Sequence, residues 1–259
     1  MSSEIVTYGL MFILAFAAGF IDAVVGGGGL IQLPALFILF SGLPVPTLMG
    51  TNKFAGFSGT ALATSRYLKQ TNVPWKSIFP AILTSIVFSF LGARVISHIH
   101  KDDIKMIVLG LLIIVAIYTF FKKEFGLHHA PKLNALKTAV YSALTGAVLG
   151  FYDGFFGPGT GSFLIVVFIS LFGFNFLIAS ASAKLVNCAT NISALSYFII
   201  TGQINYPLAI SVAVFNMAGS FIGSKMAIKK GSAFVRTFFL IIVSGMILKF
   251  AWDVFYAKN

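Results

Sequence analysis

Long apolar stretches, separated by short charged or glycine-rich turns, run along almost the whole chain. A helix needs about 20 residues to span the hydrocarbon core of a bilayer, and most of the stretches reach that length. Barrel strands would alternate apolar and polar residues, whereas residues 107–121 are nearly all apolar. The pattern therefore predicts an all-α integral membrane protein, a helical bundle of about ten hydrophobic segments: 6–25, 29–41, 47–69, 75–98, 104–122, 137–156, 160–172, 178–200, 206–229 and 234–256.

Two of these segments, 29–41 and 160–172, are too short to span a bilayer upright, and each follows a glycine-rich break. A helix that restarts after a break leaves free N–H groups and a positive dipole end, and glycine lets a ligand approach the backbone. Such paired breaks indicate a transporter binding site; tight helix packing is the alternative. We expect substrate contacts from Gly27, Gly28, Gly29, Gly159, Thr160 and Gly161.

The two halves of the chain match at an offset of 131 residues. Asp22 then corresponds to Asp153, and Lys53 corresponds to Lys184. A chance alignment of two apolar sequences would match Leu, Ile and Phe, whereas these matches fall on residues that are rare in a membrane. The sequence therefore predicts a duplicated helical unit, with a first repeat at 1–125 and a second at 126–259.

The formal net charge of +11 comes from basic residues at segment ends, so it does not indicate nucleic-acid binding. Basic residues concentrate in the loops 66–76, 122–137 and 225–236. By the positive-inside rule, these loops face the cytoplasm and both termini face outward. The loop after residue 70 and its equivalent after residue 201 then lie on opposite faces, which predicts an inverted repeat with an odd number of segments per half.

Two lysines and two aspartates inside apolar segments correspond to each other between the two halves. A buried lysine is costly and is usually functional, so Lys53 and Lys184 favour an anionic substrate; snorkelling or pairing with an aspartate is the alternative. Asp22 and Asp153 precede the breaks by four residues. Three roles stay open for them: pairing with a lysine in the substrate-free state, carrying a coupling proton, or a structural bond to the broken backbone.

Polar neighbours surround both lysines in the sequence. Asn52 precedes Lys53, and Asn187 and Asn191 share one helix face with Lys184. We expect these amides to line the substrate site, with interhelical hydrogen bonding as the alternative. The single Cys188 excludes an intramolecular disulfide and is expected to be a small buried residue. No catalytic group, metal-ligand set, nucleotide-binding motif or cofactor is predicted.

The run Gly19-Phe20-Ile21-Asp22, the glycines that follow it, and Gly50-Thr51-Asn52-Lys53 resemble the sulfite exporter TauE/SafE family. In the second half, Gly157-x-Gly159-x-Gly161 and Ala183-Lys184 fit the repeat of that family, and the resemblance covers essentially the whole chain. It implies transport of small organosulfur or sulfur oxyanions such as sulfite or sulfoacetate, usually as export across a bacterial inner membrane. Because no asparagine precedes Lys184, asymmetric substrate contacts are expected.

These observations predict a secondary transporter, not an enzyme, that exports a small anion by alternating access. Its partners are the anion and the lipid bilayer; a homodimer is common among transporters, and its occurrence is left open. A passive anion channel would share the same site chemistry. A membrane partner protein in sulfur metabolism would depend on Cys188, and a cation transporter would use Asp22 and Asp153.

Overall fold

The computed structural model describes residues 2–95, 129–131 and 133–255. Every predicted segment within these ranges is helical; the segment 104–122 lies outside them, and no strand occurs in the part of the chain described. The all-α prediction is therefore confirmed for these residues. The helices are α1 Ser2–Val25, α2 Gly29–Leu39, α3 Val45–Gln70, α4 Trp75–Val95, α5 Ala135–Phe155, α6 Thr160–Ser170, α7 Phe176–Ile200 and α8 Tyr206–Phe255.

The helices differ in their suitability for crossing a membrane. Within the described ranges, three stretches are long and apolar enough to do so by length and composition: Glu4–Val25, Trp75–Val95 and Tyr206–Ile241. The helices α2 and α6 are apolar but have only 11 residues each. The long helices α3 and α7 carry Lys53 and Lys184 among other polar groups. The total of ten membrane segments stays a prediction.

The last helix joins two predicted segments. The sequence pattern separates 206–229 from 234–256, and α8 consists of two helices that meet in a kink at Gly231. Gly231 has φ 72° and ψ −166°, a conformation that is open to glycine and closed to residues with a side chain. The kink at Gly231 therefore falls in the gap that the sequence pattern predicts between the two segments.

The offset of 131 residues also relates the helix boundaries. It carries the first residue of α2 to that of α6, the first residue of α3 to that of α7, and the first residue of α4 to that of α8. The two most extensive helix interfaces, α1 with α8 and α4 with α5, correspond to each other in the same way. Each half therefore packs its first helix against the last described helix of the other half.

Glycine makes these interfaces close. A Cβ on Gly150 of α5 would lie 2.7 Å from the Cα of Ser85 in α4. At the equivalent position, a Cβ on Gly19 of α1 would overlap the backbone of Asn216 in α8. Small residues at such contacts let two helix backbones approach within a membrane. Helix packing thus accounts for Gly19 and Gly150, which lie outside the two breaks.

Candidate substrate site at two helix breaks

The two glycine breaks lie against each other. A Cβ on Gly161 would lie 2.5 Å from the Cα of Gly26, so the two backbones touch. The Ser162 N–H donates to the carbonyl oxygen of Gly26 at 3.2 Å, and the Ser162 hydroxyl donates to that of Val25 at 2.8 Å. The amino-terminal ends of α2 and α6 are thereby held side by side. Each carries the positive end of a helix dipole, so their potentials add at this point.

The backbone conformation explains why several of these residues are glycine. Gly26, Gly157 and Gly159 have φ of 78°, 92° and 85°, in the left-handed region that residues with a Cβ rarely adopt. Gly28 is right-handed, with φ −58°. It is restricted by space, because its Cβ would lie 2.6 Å from the Cβ of Asp22. The breaks thus depend on glycine for two separate physical reasons.

Several backbone donors at the breaks have no protein acceptor. Within the described ranges, no hydrogen bond uses the N–H groups of Gly27, Gly28, Gly29, Gly159 or Gly161. Four of these glycines are buried, and Gly29 is partly buried. Unpaired buried N–H groups are rare in proteins and are costly without a partner. Beside two positive helix ends, they are donors suited to an anion or to ordered water.

Two lysine–aspartate pairs cross between the halves of the molecule. The Lys53 Nζ lies 2.8 Å from Asp153 Oδ2 and donates to the Asp153 carbonyl oxygen at 2.6 Å. The Lys184 Nζ lies 2.9 Å from Asp22 Oδ2 and also donates to the Asp22 carbonyl oxygen. The offset of 131 residues converts one pair into the other. Each half therefore supplies a lysine to the helix break of the other.

Both lysines neutralise the carboxyl end of a helix. Asp22 lies in the last turn of α1, and Asp153 lies in the last turn of α5. The last carbonyl groups of a helix carry the negative end of its dipole, which a cation stabilises, and the Asp22 carbonyl oxygen also accepts from the Gly26 N–H at 2.8 Å. Because Lys53 is 2% exposed and Lys184 1%, neither side chain snorkels to the membrane surface. Of the roles considered for the aspartates, pairing with lysine is the one seen in this conformation.

The two pairs have different surroundings. The Thr60 hydroxyl donates to Asp22 Oδ2 at 3.2 Å, on the same oxygen that Lys184 contacts. The equivalent of Thr60 is Asn191, whose amide donates to Asn187 Oδ1 at 3.4 Å instead of to Asp153. Among the described residues, the side-chain donor to the Asp153 carboxylate is Lys53. The Asp22 side chain is 15% exposed, whereas that of Asp153 is 3% exposed. The Asp22 carboxylate is thus the more accessible of the two.

A chain of buried amides from both halves lies beside the first break, and the described residues at the equivalent positions form no such chain. Asn216 Nδ2 donates to Gln32 Oε1 at 2.6 Å, and Gln32 Nε2 donates to Asn52 Oδ1 at 2.9 Å. The equivalents of these residues by the offset are Ser85, Phe163 and Ala183, which cannot form such a chain. Sequence reasoning missed Gln32. Gln32 could have been recognised as an amide inside the apolar segment 29–41, because a buried polar group needs a hydrogen-bond partner.

The remaining predicted site residues form local contacts. Thr160 donates its hydroxyl to the Gly157 carbonyl oxygen at 2.7 Å, inside its own break. Asn187 and Asn191 are buried and bond to each other along α7. Cys188 is a partly buried free thiol. Within the described ranges, no group of three or more His, Cys, Asp or Glu side chains could hold a metal ion.

Comparison with known proteins identifies the family to which this chain belongs. The family model described as sulfite exporter TauE/SafE matches residues 11–250. The probable membrane transporter protein ORF9 of Sinorhizobium sp is 33% identical over 243 residues, covering 94% of this chain and 92% of its own. The probable membrane transporter protein of Haemophilus influenzae is 32% identical over 244 residues, covering 94% of each chain. The probable membrane transporter protein YfcA of Escherichia coli (strain K12) is 31% identical over 245 residues, covering 95% and 90%. No solved structure matches the chain significantly. The chain therefore belongs to the sulfite exporter TauE/SafE family and is a membrane transporter.

Proposed function

We propose that the protein is a secondary transporter that exports a small organosulfur or sulfur oxyanion, such as sulfite or sulfoacetate, across a bacterial inner membrane. The observation that carries this proposal is the meeting of two positive helix ends beside two buried lysines that are balanced only by internal carboxylates. An external anion of similar size can take the place of one carboxylate. The sulfur chemistry comes from the description of the matching family.

The donors at the breaks favour an anion over a cation. Both aspartates face lysines, so neither offers a free carboxylate to a metal or organic cation in this conformation. The unpaired N–H groups of Gly27, Gly28 and Gly159 are donors, and they match the acceptor oxygens of a sulfite or sulfonate group. The same argument weighs against the cation-transporter alternative.

Charge balance supports proton coupling. A lysine–aspartate pair is neutral, so an anion that displaces the carboxylate adds one negative charge within the membrane, where uncompensated charge is costly. Uptake of one proton by the displaced carboxylate restores neutrality. The groups that contact Asp22 include Lys184 of α7, Thr60 of α3 and the backbone of Gly28 before α2, and the Tyr67 hydroxyl of α3 donates to the carbonyl oxygen of the next residue, Ala23. The groups from α8 at the neighbouring turn of α1 are Asn216 and Ser220, which are uncharged.

Alternating access is proposed to come from an inverted repeat of the units 1–125 and 126–259. Its support is the loop-charge asymmetry, the matching helix boundaries and the reciprocal ion pairs. Movement of one unit against the other would open the central breaks first to one side and then to the other. In this topology both termini lie outside the cell and the loop 122–137 lies in the cytoplasm.

The test is binding and flux with the purified protein. Thermal shift with sulfite, sulfoacetate, taurine and sulfate identifies the anion that stabilises the protein. Flux of that anion into proteoliposomes is then measured against concentration and against an imposed pH gradient. We expect saturable flux that responds to the gradient. Flux that rises linearly with concentration and ignores the gradient would instead identify a passive channel, and stabilisation by none of the anions would overturn the proposed substrate class.

A further inference from the structure

We propose that the Lys184–Asp22 pair is the one that substrate opens, while Lys53–Asp153 stays closed as a static clamp. This inference depends on the proposed anion transport and assigns the exchange to one of two sites that are equivalent by sequence. On this assignment the substrate anion accepts hydrogen bonds from Lys184 and Thr60, in the place that the Asp22 carboxylate occupies in this conformation.

Accessibility is the first observation that separates the two pairs. The Asp22 side chain retains 15% exposure although it lies on the inner face of α1, where Met11, Ala15 and Ala18 are fully buried. The Asp22 side chain thus keeps this exposure on the face of α1 that packs against the rest of the protein. The Asp153 side chain, with 3% exposure, has no comparable opening.

Space at Gly56 is the second observation. A Cβ built on Gly56 would meet no atom within 4 Å, although Gly56 follows Lys53 by one turn and precedes Thr60 by one turn on α3. Residues three and four apart lie on one face of a helix, so this open space lies between Lys53 and the Thr60 hydroxyl that contacts Asp22. The equivalent of Gly56 in α7 is Asn187, whose buried side chain occupies the corresponding position. On α3 there is thus room for a ligand beside Thr60, whereas on α7 the side chain of Asn187 fills the position beside Asn191.

The number of donors at the carboxylate is the third observation. Asp22 Oδ2 accepts from the Lys184 Nζ and from the Thr60 hydroxyl, so one oxygen gathers two donors from two helices. An oxygen of sulfite, sulfonate or carboxylate can accept the same two bonds. At the clamp, the side-chain donor on Asp153 is Lys53, and the neighbouring asparagines bond within α7. An incoming anion would find no second donor there.

The assignment also identifies two residues that motif reasoning did not place in the site. Thr60 becomes a substrate ligand, and Gly56 becomes the residue whose missing side chain leaves room for the substrate. Because Asp22 is the displaced counterion, its protonation is the step that accompanies binding. The Asp153 carboxylate keeps its lysine throughout the cycle.

The test is calorimetric titration of sulfite and of sulfoacetate into wild type and into matched variants, each checked for monodispersity and helix content. Asp22→Asn removes the competing charge at Lys184 and should tighten binding by about tenfold. Asp153→Asn should change affinity far less and should instead lower the melting temperature. Titration in two buffers of different ionisation enthalpy should show proton uptake with wild type and none with Asp22→Asn.

A second pair of variants tests the open space without touching any charge. Gly56→Leu should fill the space and abolish sulfite binding while the protein stays folded. Gly9→Leu is the control, because a Cβ on Gly9 also meets no atom within 4 Å and this residue is exposed on α1. Equal effects of Asp22→Asn and Asp153→Asn on affinity, or full binding by Gly56→Leu, would overturn the assignment alone. Absence of binding by wild type would overturn both the assignment and the proposed anion substrate.

Discussion

The two halves of this molecule share one arrangement of helices and charged residues, but the surroundings of their lysine–aspartate pairs differ. Each places a lysine on its third helix and an aspartate before its glycine break, and the helix boundaries coincide under one offset. Around this shared frame, the first half has open space at Gly56, whereas the second half has Asn187 at that position. The two halves thus share their charged residues but differ in the uncharged neighbours, and we propose that these neighbours decide which pair a ligand can reach.

The amide chain extends the same contrast. Asn216, Gln32 and Asn52 join α8, α2 and α3 through hydrogen bonds beside the first break, and their equivalents Ser85, Phe163 and Ala183 cannot form such bonds beside the second. A fully bonded buried network fixes the relative positions of the helices that carry it. We therefore infer that this chain of amides holds α2, α3 and α8 in fixed relative positions beside the first break. Substitutions at equivalent positions of the two halves should then have unequal effects on anion affinity and on stability.

The largest expected difference concerns anion affinity after removal of each lysine. Lys184→Met should weaken sulfite binding about 10- to 100-fold, because a hydrogen bond from a charged donor contributes about 1.5–3 kcal/mol. Lys53→Met should affect affinity much less, since its side chain remains with Asp153 in the proposed cycle. Calorimetric titration of both variants measures the difference. Equal loss of affinity would mean that both lysines bind the substrate.

The next difference concerns stability. Lys53→Met leaves Asp153 buried without a cation and should lower the free energy of unfolding by about 3–5 kcal/mol. Lys184→Met should lower it less, because Asp22 keeps Thr60 as a donor and is 15% exposed. Melting in detergent, followed by circular dichroism, measures both. The double variant Lys53→Met with Asp153→Leu should recover much of the loss, and a failure to recover would contradict the ion-pair explanation.

The amide chain should show a smaller and coupled effect. Gln32→Leu leaves the amide of Asn216 and the carbonyl of Asn52 without their partners, at about 1–3 kcal/mol for each unsatisfied group. Adding Asn216→Ala should cost less in this background than in wild type, because one unsatisfied group is then removed. A double-mutant cycle of melting curves measures the coupling. Strictly additive losses would argue against a connected chain.

The smallest difference concerns two equivalent hydroxyls. The Thr51 hydroxyl accepts from the Asn205 N–H at 3.2 Å, so Thr51→Val should cost about 0.5–1.5 kcal/mol. The Ser182 hydroxyl is buried without a partner among the described residues. Its missing donor is explained by Pro74, which replaces Asn205 at the equivalent position and has no N–H. Ser182→Ala should therefore change stability by less than about 0.5 kcal/mol, and a larger loss would reveal a partner for Ser182.

Apolar stretches and glycine breaks predicted most of the described helices because each depends on local composition. The segment 29–41 became α2, which ends at Leu39, and rare charged residues marked Asp22, Lys53, Asp153 and Lys184 as the residues of interest. The partner of each lysine was not predictable in the same way. Lys53 and Asp153 are 100 residues apart, and their contact depends on how the two halves cross.

Two features of the candidate site lay beyond local patterns for a further reason. Gln32 was detectable as a polar residue in an apolar segment, but its partners Asn52 and Asn216 become visible only when three helices are packed. The role of Gly56 was not predictable from local patterns, because it depends on the space around this residue in the folded protein. The sequence does show that the equivalent position in the second half carries the larger side chain of Asn187.

The most direct test of the central claim is a cryo-electron microscopy structure of the protein in a lipid nanodisc with bound sulfite. The account predicts density for the anion within hydrogen-bond distance of the Lys184 Nζ and the Thr60 hydroxyl, with the Asp22 side chain displaced and Lys53 still paired with Asp153. Anion density at Lys53, or a bound anion that leaves the Lys184–Asp22 pair intact, would contradict it.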